Sequence, residues 1–252
     1  MGKERIVCES HKKELMAINR TRIEWTDFSL NYITGCPRRC VFDNRGKCYA
    51  WNLANGRLKQ RYLANPNVAP GCDPNDPFSP RFWPRRLNEP RRLKKPAKIF
   101  AVDMGDMFAP CIPRAWQDAG FSMERECPQH TFQHLTKFPE NLAQHNPWPD
   151  NTWVGATAIN NEMAIRAVEG LLKTDACANF ISFEPLLGPI SVDLSHINWI
   201  IIGAQTNPKR QPSPEWVQAL LDEADRWNVP VFMKDNLAWP SRRREWPKQG
   251  GE

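Results

Sequence analysis

Seven short apolar runs, rich in β-favouring residues, recur along the chain and alternate with amphipathic stretches. The runs occupy residues 31–36, 97–103, 130–137, 152–158, 178–185, 198–205 and 229–235. Strands that alternate with helices favour a parallel sheet buried on both faces. The pattern predicts an α/β fold with a partial or closed (βα) barrel of about six or seven parallel strands. A doubly wound open sheet is the alternative.

The stretches between these runs have helical character. They occupy residues 114–126, 138–145, 160–173 and 213–227. In the last stretch Leu220 and Leu221 belong to a set of apolar residues at helical spacing. Ser213 and Pro214 form a helix-start signature, because serine can cap the first turn and proline is favoured at the first helical position.

The same pattern predicts one folded domain over residues 21–238. Residues 66–96 are rich in Pro, Asn and Asp and are predicted to form an irregular excursion between the first two βα units. Residues 1–20 are predicted to be a mobile N-terminal extension, and residues 239–252 a basic C-terminal tail.

Polar or small residues follow the apolar runs at the points where the predicted strands end. In a parallel barrel the carboxyl ends of the strands and the loops after them build the active site. The alternative is that polar residues only mark where each strand leaves the core. We favour a shared site because several of these residues follow an apolar run directly. The set is Asp103, Asp106, Thr136, Lys137, Thr157, Ser182, Glu184, Gly203, Gln205, Lys234 and Asp235.

Three cysteines, Cys36, Cys40 and Cys48, lie close together in the segment ITGCPRRCVFDNRGKCYA. A structural zinc site would need a distant fourth ligand, such as His11 or Cys72. A single catalytic thiol would not need two neighbours, and a disulfide is disfavoured in a reducing compartment. An iron–sulfur cluster with three protein thiolates and one open iron fits the count.

Composition and charge narrow the function classes. Hydrophobic residues make up 41% of the chain, and no run is long enough to span a membrane. The first residues lack the apolar stretch of a secretory signal, so we expect a cytoplasmic protein with no membrane partner. The formal net charge is +6, with basic residues concentrated at residues 81–98 and 242–244. Such segments favour nucleic-acid binding, and a solvated surface is the alternative.

The segments IEWTDFSLNYITGC, KCYA, DMGDMF, HTFQHLTKFPENL, WVGATAINNE, SFEPLLGPI, WIIIGAQTNP and VPVFMKDNL run in order from about residue 22 to 237. With its three-cysteine loop after the first predicted strand, the chain resembles the radical S-adenosylmethionine superfamily. More narrowly, it resembles the uncharacterised phage- and prokaryote-associated proteins encoded beside a three-Cys-motif partner protein. The superfamily usually separates its cysteines by three and then two residues, whereas here the second gap holds seven.

The resemblance implies a [4Fe-4S] cluster on Cys36, Cys40 and Cys48 that delivers one electron to S-adenosylmethionine, which breaks into methionine and a 5′-deoxyadenosyl radical. It implies that Tyr49 lies near the adenine and that an acid after the second strand receives the methionine amino group, with Asp106 preferred. The remaining cofactor-binding candidates are Asp103, Gly105, Thr157, Ser182, Gly203 and Gln205. The candidates for substrate binding or proton transfer are Lys137, Glu184 and Lys234.

The first hypothesis is therefore a radical enzyme that modifies or repairs a substrate, with nucleic acid or a nucleotide as the candidate. The resemblance also implies an electron donor protein and a three-Cys-motif partner protein as partners. A second hypothesis is a non-catalytic nucleic-acid-binding protein with a structural zinc site. A third is a degenerate barrel that acts only as a partner-binding subunit.

Overall fold

The computed structural model describes residues 18–37, 41–42 and 46–247. The strands are β1 (Ile18–Arg20), β2 (Phe28–Leu30), β3 (Ile33–Thr34), β4 (Val41–Phe42), β5 (Gly46–Lys47), β6 (Arg81–Phe82), β7 (Lys98–Ala101), β8 (Thr131–Thr136), β9 (Thr152–Thr157), β10 (Ala178–Phe183), β11 (Trp199–Ile202), β12 (Gln205–Thr206), β13 (Lys209–Arg210) and β14 (Val231–Met233). The α-helices are α1 (Tyr49–Asn55), α2 (Lys59–Leu63), α3 (Arg114–Arg125), α4 (Asn161–Leu171) and α5 (Pro214–Arg226). Short 3-10 helices are η1 (Pro84–Asn88), η2 (Pro90–Arg92), η3 (Pro139–Asn141) and η4 (Ala143–His145).

One eight-stranded sheet organises the described part of the chain, in the order β1-β2-β7-β8-β9-β10-β11-β14. Every pairing from β2 to β14 is parallel, and β1 pairs with β2 antiparallel. The predicted α/β class with a mainly parallel sheet is confirmed. The predicted strand number is too low, because β1 adds an antiparallel edge strand. Closure into a barrel is not shown, since β1 and β14 are the two ends of the sheet.

The first parallel strand lies earlier than the apolar run at 31–36 predicts. Phe28–Leu30 pairs with β7, whereas Ile33–Thr34 leaves the main sheet and pairs antiparallel with β6. The prediction for this run is wrong because Ile33 and Thr34 are as buried as a core strand, but they are buried in a small separate ribbon with β6. The other six runs coincide with β7, β8, β9, β10, β11 and β14 within a few residues.

The sheet is strongly curved, and one face, here called the inner face, surrounds the side chain of Trp25. The Trp25 ring centroid lies 4.7 Å from that of Phe100 on β7 and 6.1 Å from that of Trp199 on β11. In a flat sheet, strands four positions apart are roughly 19 Å apart. One side chain can contact both only if the strands bend around it. The loop between β1 and β2 therefore closes the amino-terminal half of the inner face.

The outer face packs against the helices. Val217, Leu220, Leu221 and Ala224 of α5 are buried, in agreement with the helical spacing of these apolar residues. The helix begins at Pro214 with Ser213 as its N-cap residue, as predicted, although the serine hydroxyl contacts the Glu215 carboxylate instead of the helix backbone. Among the helices of the described segments, none is long and apolar enough to cross a membrane.

Candidate metal and cofactor site

The carboxyl half of the inner face collects polar residues from neighbouring strands. Thr157 and Ser182 are register partners on β9 and β10, so they lie side by side on this face. Both are almost completely buried. Gly203 follows β11, and Glu184 and Lys234 follow β10 and β14 at the same edge. The structure thus brings together five of the residues predicted from polar strand ends.

Glu184 and Lys234 form an ion pair above Gly203. The Lys234 ammonium contacts Glu184 Oε1, and the two side chains are 16% and 25% exposed, respectively. A Cβ atom at Gly203 would lie 3.0 Å from Glu184 Cγ and 3.1 Å from Lys234 Cδ. The absence of a side chain at Gly203 therefore leaves the space in which the two charged side chains meet.

Two buried polar atoms near this edge have no hydrogen-bond partner within the described part of the chain. They are Thr157 Oγ1 and Gln205 Oε1, on residues that are 4% and 6% exposed. The Gln205 amide nitrogen donates to the Asn207 carbonyl over 3.3 Å. Buried polar atoms are normally paired, so these two oxygens are available to accept a hydrogen bond from water or from a bound molecule.

Asp103, Asn31 and Tyr49 form a second polar group at the ends of β2 and β7. The Asn31 amide donates to Asp103 Oδ1, and its carbonyl oxygen accepts from the Met104 N–H over 2.8 Å. The Tyr49 hydroxyl donates to the Asp103 backbone carbonyl. Burial raises the pKa of the Asp103 carboxyl, while the hydrogen bonds from Asn31 and Tyr49 oppose that shift. The carboxylate is thus oriented but not fully enclosed.

Asp106 is placed differently from Asp103. It is 5% exposed, and its carboxylate accepts hydrogen bonds from Thr136 Oγ1 at 2.7 Å, the Lys137 N–H at 2.9 Å and the Phe108 N–H at 3.1 Å. Burial raises the pKa of the Asp106 carboxyl, and these donors oppose the shift. Asp106 joins the loop after β7 to the end of β8 and places Lys137 at the carboxyl edge.

The backbone around Cys36 is held by two close glycines. Gly35 has a φ of +86°, and it forms a parallel bridge with Gly105 in the loop after β7. A Cβ atom at Gly105 would lie 2.6 Å from the Gly35 carbonyl oxygen, so only glycine permits this approach. The contact places the first cysteine beside the loop that carries Asp103.

Cys36 and Cys48 belong to the same apolar cluster. Both are half-buried and pack against the cluster formed by Ala50, Ala54, Tyr62, Phe78 and Met104. Cys48 is the N-cap residue of α1, directly before Tyr49. Cys40 lies outside the described residues, as does His11. Within the described segments no group of three metal-binding side chains occurs, and only two of the three motif cysteines fall in those segments.

Arg81 holds the excursion at residues 66–96 against Cys36. Its guanidinium is completely buried and donates to the backbone carbonyls of Asn65, Pro74, Asp76 and Ser79 at 2.6–3.2 Å. The same loop supplies the Phe78 carbonyl, which accepts from the Cys36 N–H over 3.2 Å. The segment that sequence analysis treats as irregular therefore supports the first cysteine.

Sequence reasoning missed two residues of this region. The apolar run at residues 31–36 predicts that Asn31 begins a strand, whereas in the structure it directly follows the strand Phe28–Leu30. Arg81 belongs to the basic segment at residues 81–98, yet it is completely buried. No sequence signal separates a buried arginine from its exposed neighbours in this run. Among the described residues, Asn31 and Arg81 contact the part of the site that holds Cys36 and Asp103. Neither contacts Glu184 or Lys234 directly.

The fold and the site define a mainly parallel α/β protein with a polar candidate site at the carboxyl edge of its sheet. The chain belongs to the family described as "Protein of unknown function (DUF5131)", whose model matches residues 20–252. No curated protein sequence matches it.

Among solved structures, the chain is similar to spore photoproduct lyase complexed with dinucleoside spore photoproduct. The TM-score is 0.47 and the identity 9%, over 85% of this chain and 65% of that chain. Two variants of the same lyase give TM-scores of 0.45 and 0.43 at 9% and 10% identity, covering 86% and 74% of this chain. These matches span 66% and 58% of the variant chains, so in each case the chain covers less than two thirds of the matched structure.

Proposed function

We propose that this protein is a radical enzyme that uses S-adenosylmethionine and a [4Fe-4S] cluster. The observation that carries the proposal is the position of Cys36 and Cys48. They share one apolar cluster, and Cys36 lies beside the Asp103 loop at the carboxyl edge of a curved parallel sheet. The resemblance of the ordered sequence segments to the radical S-adenosylmethionine superfamily supports the same assignment.

The donor set fits an iron–sulfur cluster. Thiolates are the usual protein ligands of such clusters, and burial in apolar surroundings limits access of water. Cys36 and Cys48 are half-buried against the apolar cluster that contains Phe78 and Met104. In the proposal Cys40 supplies the third thiolate, which leaves one iron open for a ligand that carries an amine and a carboxylate.

The polar residues around the inner face fit the cofactor. Asp103 is the better candidate for the methionine amino group, because the Asp106 carboxylate already accepts three hydrogen bonds from its own fold. Thr157 and Gln205 each carry a buried oxygen with no partner among the described residues. The set proposed to contact the cofactor is completed by Tyr49, Gly105, Ser182 and Gly203.

Glu184, Lys234 and Lys137 are proposed to contact the substrate. The Glu184–Lys234 pair joins a proton acceptor to a proton donor at the carboxyl edge, so either member can orient a polar substrate group or exchange a proton with it. When bound, the cluster and S-adenosylmethionine would supply radical chemistry at this edge of the sheet. The chain's own residues position that substrate and exclude water.

The proposal includes partners as well as cofactors. Reduction of the cluster requires an electron donor protein, and a three-Cys-motif partner protein is proposed from the sequence resemblance. The substrate is proposed to be a nucleic acid or a nucleotide, and its modification or repair is the proposed outcome.

Anaerobic reconstitution with iron and sulfide tests the cofactor. We expect bound iron and sulfide in the full-length protein, and formation of 5′-deoxyadenosine and methionine once a reductant and S-adenosylmethionine are added. Cys36→Ala and Cys48→Ala should each lose bound iron and sulfide. Cys177→Ala is the matched control, because Cys177 is exposed and lies outside the site, and it should keep both.

Three results would contradict the proposal. Bound zinc without sulfide would favour a nucleic-acid-binding protein with a structural metal site. A bound cluster that never cleaves S-adenosylmethionine would favour a partner-binding subunit. Equal loss of iron in Cys177→Ala and Cys48→Ala would show that iron binding is not specific to the three-cysteine segment.

A further inference from the structure

The basic segment at residues 242–244 is neutralised by ion pairs in the structure, and part of the segment at residues 81–98 is paired or buried. Arg242 and Arg244 both pair with Asp235, and Arg243 pairs with Asp225 and Glu245. In the segment at residues 81–98, Arg91 pairs with Glu126 and Arg92 pairs with Glu89. Arg81 of the same segment is completely buried. Lys94 and Lys95 of that segment precede β7 and lie towards the amino edge of the sheet.

A third group of basic residues occurs elsewhere in the sequence. Residues 44–72 contain five Lys or Arg residues and no Asp or Glu. Arg57, Lys59 and Arg61 of this region are exposed, and none forms an ion pair with another described residue. They lie in α2 and the turn before it, and we call them the α2 cations.

Contacts of α1 and α2 fix the position of the α2 cations. The Tyr49 hydroxyl at the start of α1 donates to the Asp103 carbonyl at the end of β7. The ring of Tyr62 in α2 lies 5.8 Å from that of Trp83, and the Trp83 N–H donates to the Tyr32 carbonyl, which follows β2. The α2 cations therefore lie beside the β2–β7 end of the candidate site.

A further exposed cation lies at the opposite end of the site. Lys209 lies on the hairpin of β12 and β13, which directly follows β11. The hairpin is fixed to the loop after β14, because Gln211 Nε2 donates to the Asn236 carbonyl over 2.8 Å and the Asn236 side chain contacts the backbone of Ala204. Cations thus flank the carboxyl edge at both ends of its row of strands.

We propose that the α2 cations and Lys209 bind the phosphate backbone of a nucleic-acid strand that crosses the carboxyl edge of the sheet. The proposal rests on the proposed function and names a polymer, not a free nucleotide, as its substrate class. A single nucleotide or a small acidic partner could neutralise either the α2 cations or Lys209, whereas a polyanionic strand can contact both. The three α2 cations lie within five consecutive residues, so they form a compact positive group that a strand with a charge every ~3.4 Å can contact at more than one phosphate.

The test measures binding of a fluorescent single-stranded oligonucleotide by the full-length protein over a range of salt concentrations. Each phosphate contact contributes about 0.7 to the slope of log affinity against log salt for a single strand. The variant Arg57→Gln/Lys59→Gln/Arg61→Gln should lower that slope by about 2, and Lys209→Gln should lower it by less than about 1. The matched control is Lys94→Gln/Lys95→Gln/Lys173→Gln, which removes the same charge from exposed residues outside the site and should leave the slope unchanged.

Two readouts separate this inference from the proposed function. Bound iron and sulfide, and 5′-deoxyadenosine formed without nucleic acid, should be the same in the α2 variant and the unaltered protein. Equal loss of slope in the control variant would overturn the inference, as would the absence of salt-dependent binding. Tighter binding of an acidic peptide than of the oligonucleotide, with loss in the same α2 variant, would also overturn it in favour of an acidic protein partner.

Discussion

The two halves of the inner face differ although the same strands build both. The amino half is a dry aromatic cluster in which Trp25, Phe100, Trp153, Phe180, Trp199 and Phe232 are buried together. The carboxyl half carries Thr157, Ser182, Gly203, Glu184 and Lys234 instead. The difference teaches that one face of a strand can contribute first to the core and then, two or four residues later, to the candidate site.

The change along each strand follows from the two-residue period of side chains. On β10, Phe180 and Ser182 lie on the same face, and on β9 Trp153 and Thr157 do so with Gly155 between them. The loop that carries Trp25 covers only the amino half, where Gln133 Nε2 donates to the Trp25 carbonyl over 3.5 Å. Stability and function should therefore depend on different positions of the same strands.

The largest effect is expected from Trp25→Ala. Trp25 is 2% exposed, and its indole nitrogen has no partner among the described residues, so truncation removes ring packing and no assigned hydrogen bond of the side chain. We expect a loss of about 3–5 kcal/mol in the free energy of unfolding. Chemical denaturation checks this, with Trp25→Phe as the milder control. A loss below about 1 kcal/mol would show that the aromatic half does not hold the sheet in its curved form.

A loss of folding stability at acid pH is expected from His145, which lies outside both halves of the inner face. His145 is 3% exposed among Phe108, Phe121 and Trp148, and neither of its ring nitrogens has a partner in the described structure. Burial, with Arg114 and His134 nearby, lowers the pKa of His145 to about 4 from 6.5. The unfolded chain therefore binds the proton more readily, and stability present above pH 6.5 is lost as the pH falls towards 4.

Between pH 7 and pH 4.5 the lowered pKa of His145 should reduce the free energy of unfolding by about 2.5 kcal/mol. Denaturation curves at the two pH values measure this loss of unfolding free energy. In the His145→Phe variant the part of the loss that comes from His145 should be absent. If the variant and the unaltered protein lose the same free energy, the buried imidazole does not control the acid response.

A smaller effect is expected at the boundary between the two halves. Gly155 lies on the inner face between Trp153 and Thr157, and a Cβ atom there would lie 2.4 Å from the Phe180 ring. Gly155→Ala should cost about 1–3 kcal/mol because the aromatic half has no room for a methyl group. Gly188→Ala is the matched control, since beyond its two chain neighbours no atom lies within 4 Å of its added Cβ. Thermal unfolding of the two variants measures the difference in their stability. Equal stability would mean that the residues around Gly155 can repack to accept the methyl group.

Much of the sheet could be predicted because its core strands are short apolar runs separated by helical segments. The misassigned strand shows the limit: Ile33 and Thr34 are fully buried, yet they pair with β6 and not with the main sheet. Apolar character reports burial, and it does not report which partner strand provides that burial. Strand partners depend on contacts between residues far apart in the sequence.

The candidate site could be predicted at its strand ends but not in its supporting contacts. Glu184 and Lys234 stood out because each charged residue directly follows an apolar run. Arg81 and Asp106 did not show their roles, since both bind backbone groups brought together only by folding. Likewise, the α2 cations were less prominent in sequence than residues 81–98. Only the structure shows that several arginines of that segment are paired or buried.

The smallest effect on stability is expected in the carboxyl half. The side chains of Lys234 and Glu184 are 16% and 25% exposed, and a partly solvated ion pair contributes about 1 kcal/mol or less. Glu184→Gln keeps the shape of the side chain and an oxygen that can accept from Lys234, so its unfolding free energy should change by less than about 1 kcal/mol. Lys234→Met keeps most of the apolar stem and should behave similarly.

If these two residues contact the substrate, both variants should keep bound iron and sulfide while hydrogen transfer to the substrate falls. Thermal unfolding, metal analysis and turnover measured on the same preparations distinguish the cases. A stability loss as large as that of Trp25→Ala would place the Glu184–Lys234 pair in the core and contradict the division of the inner face. Unchanged stability with unchanged turnover would keep that division but remove the pair from the proposed site.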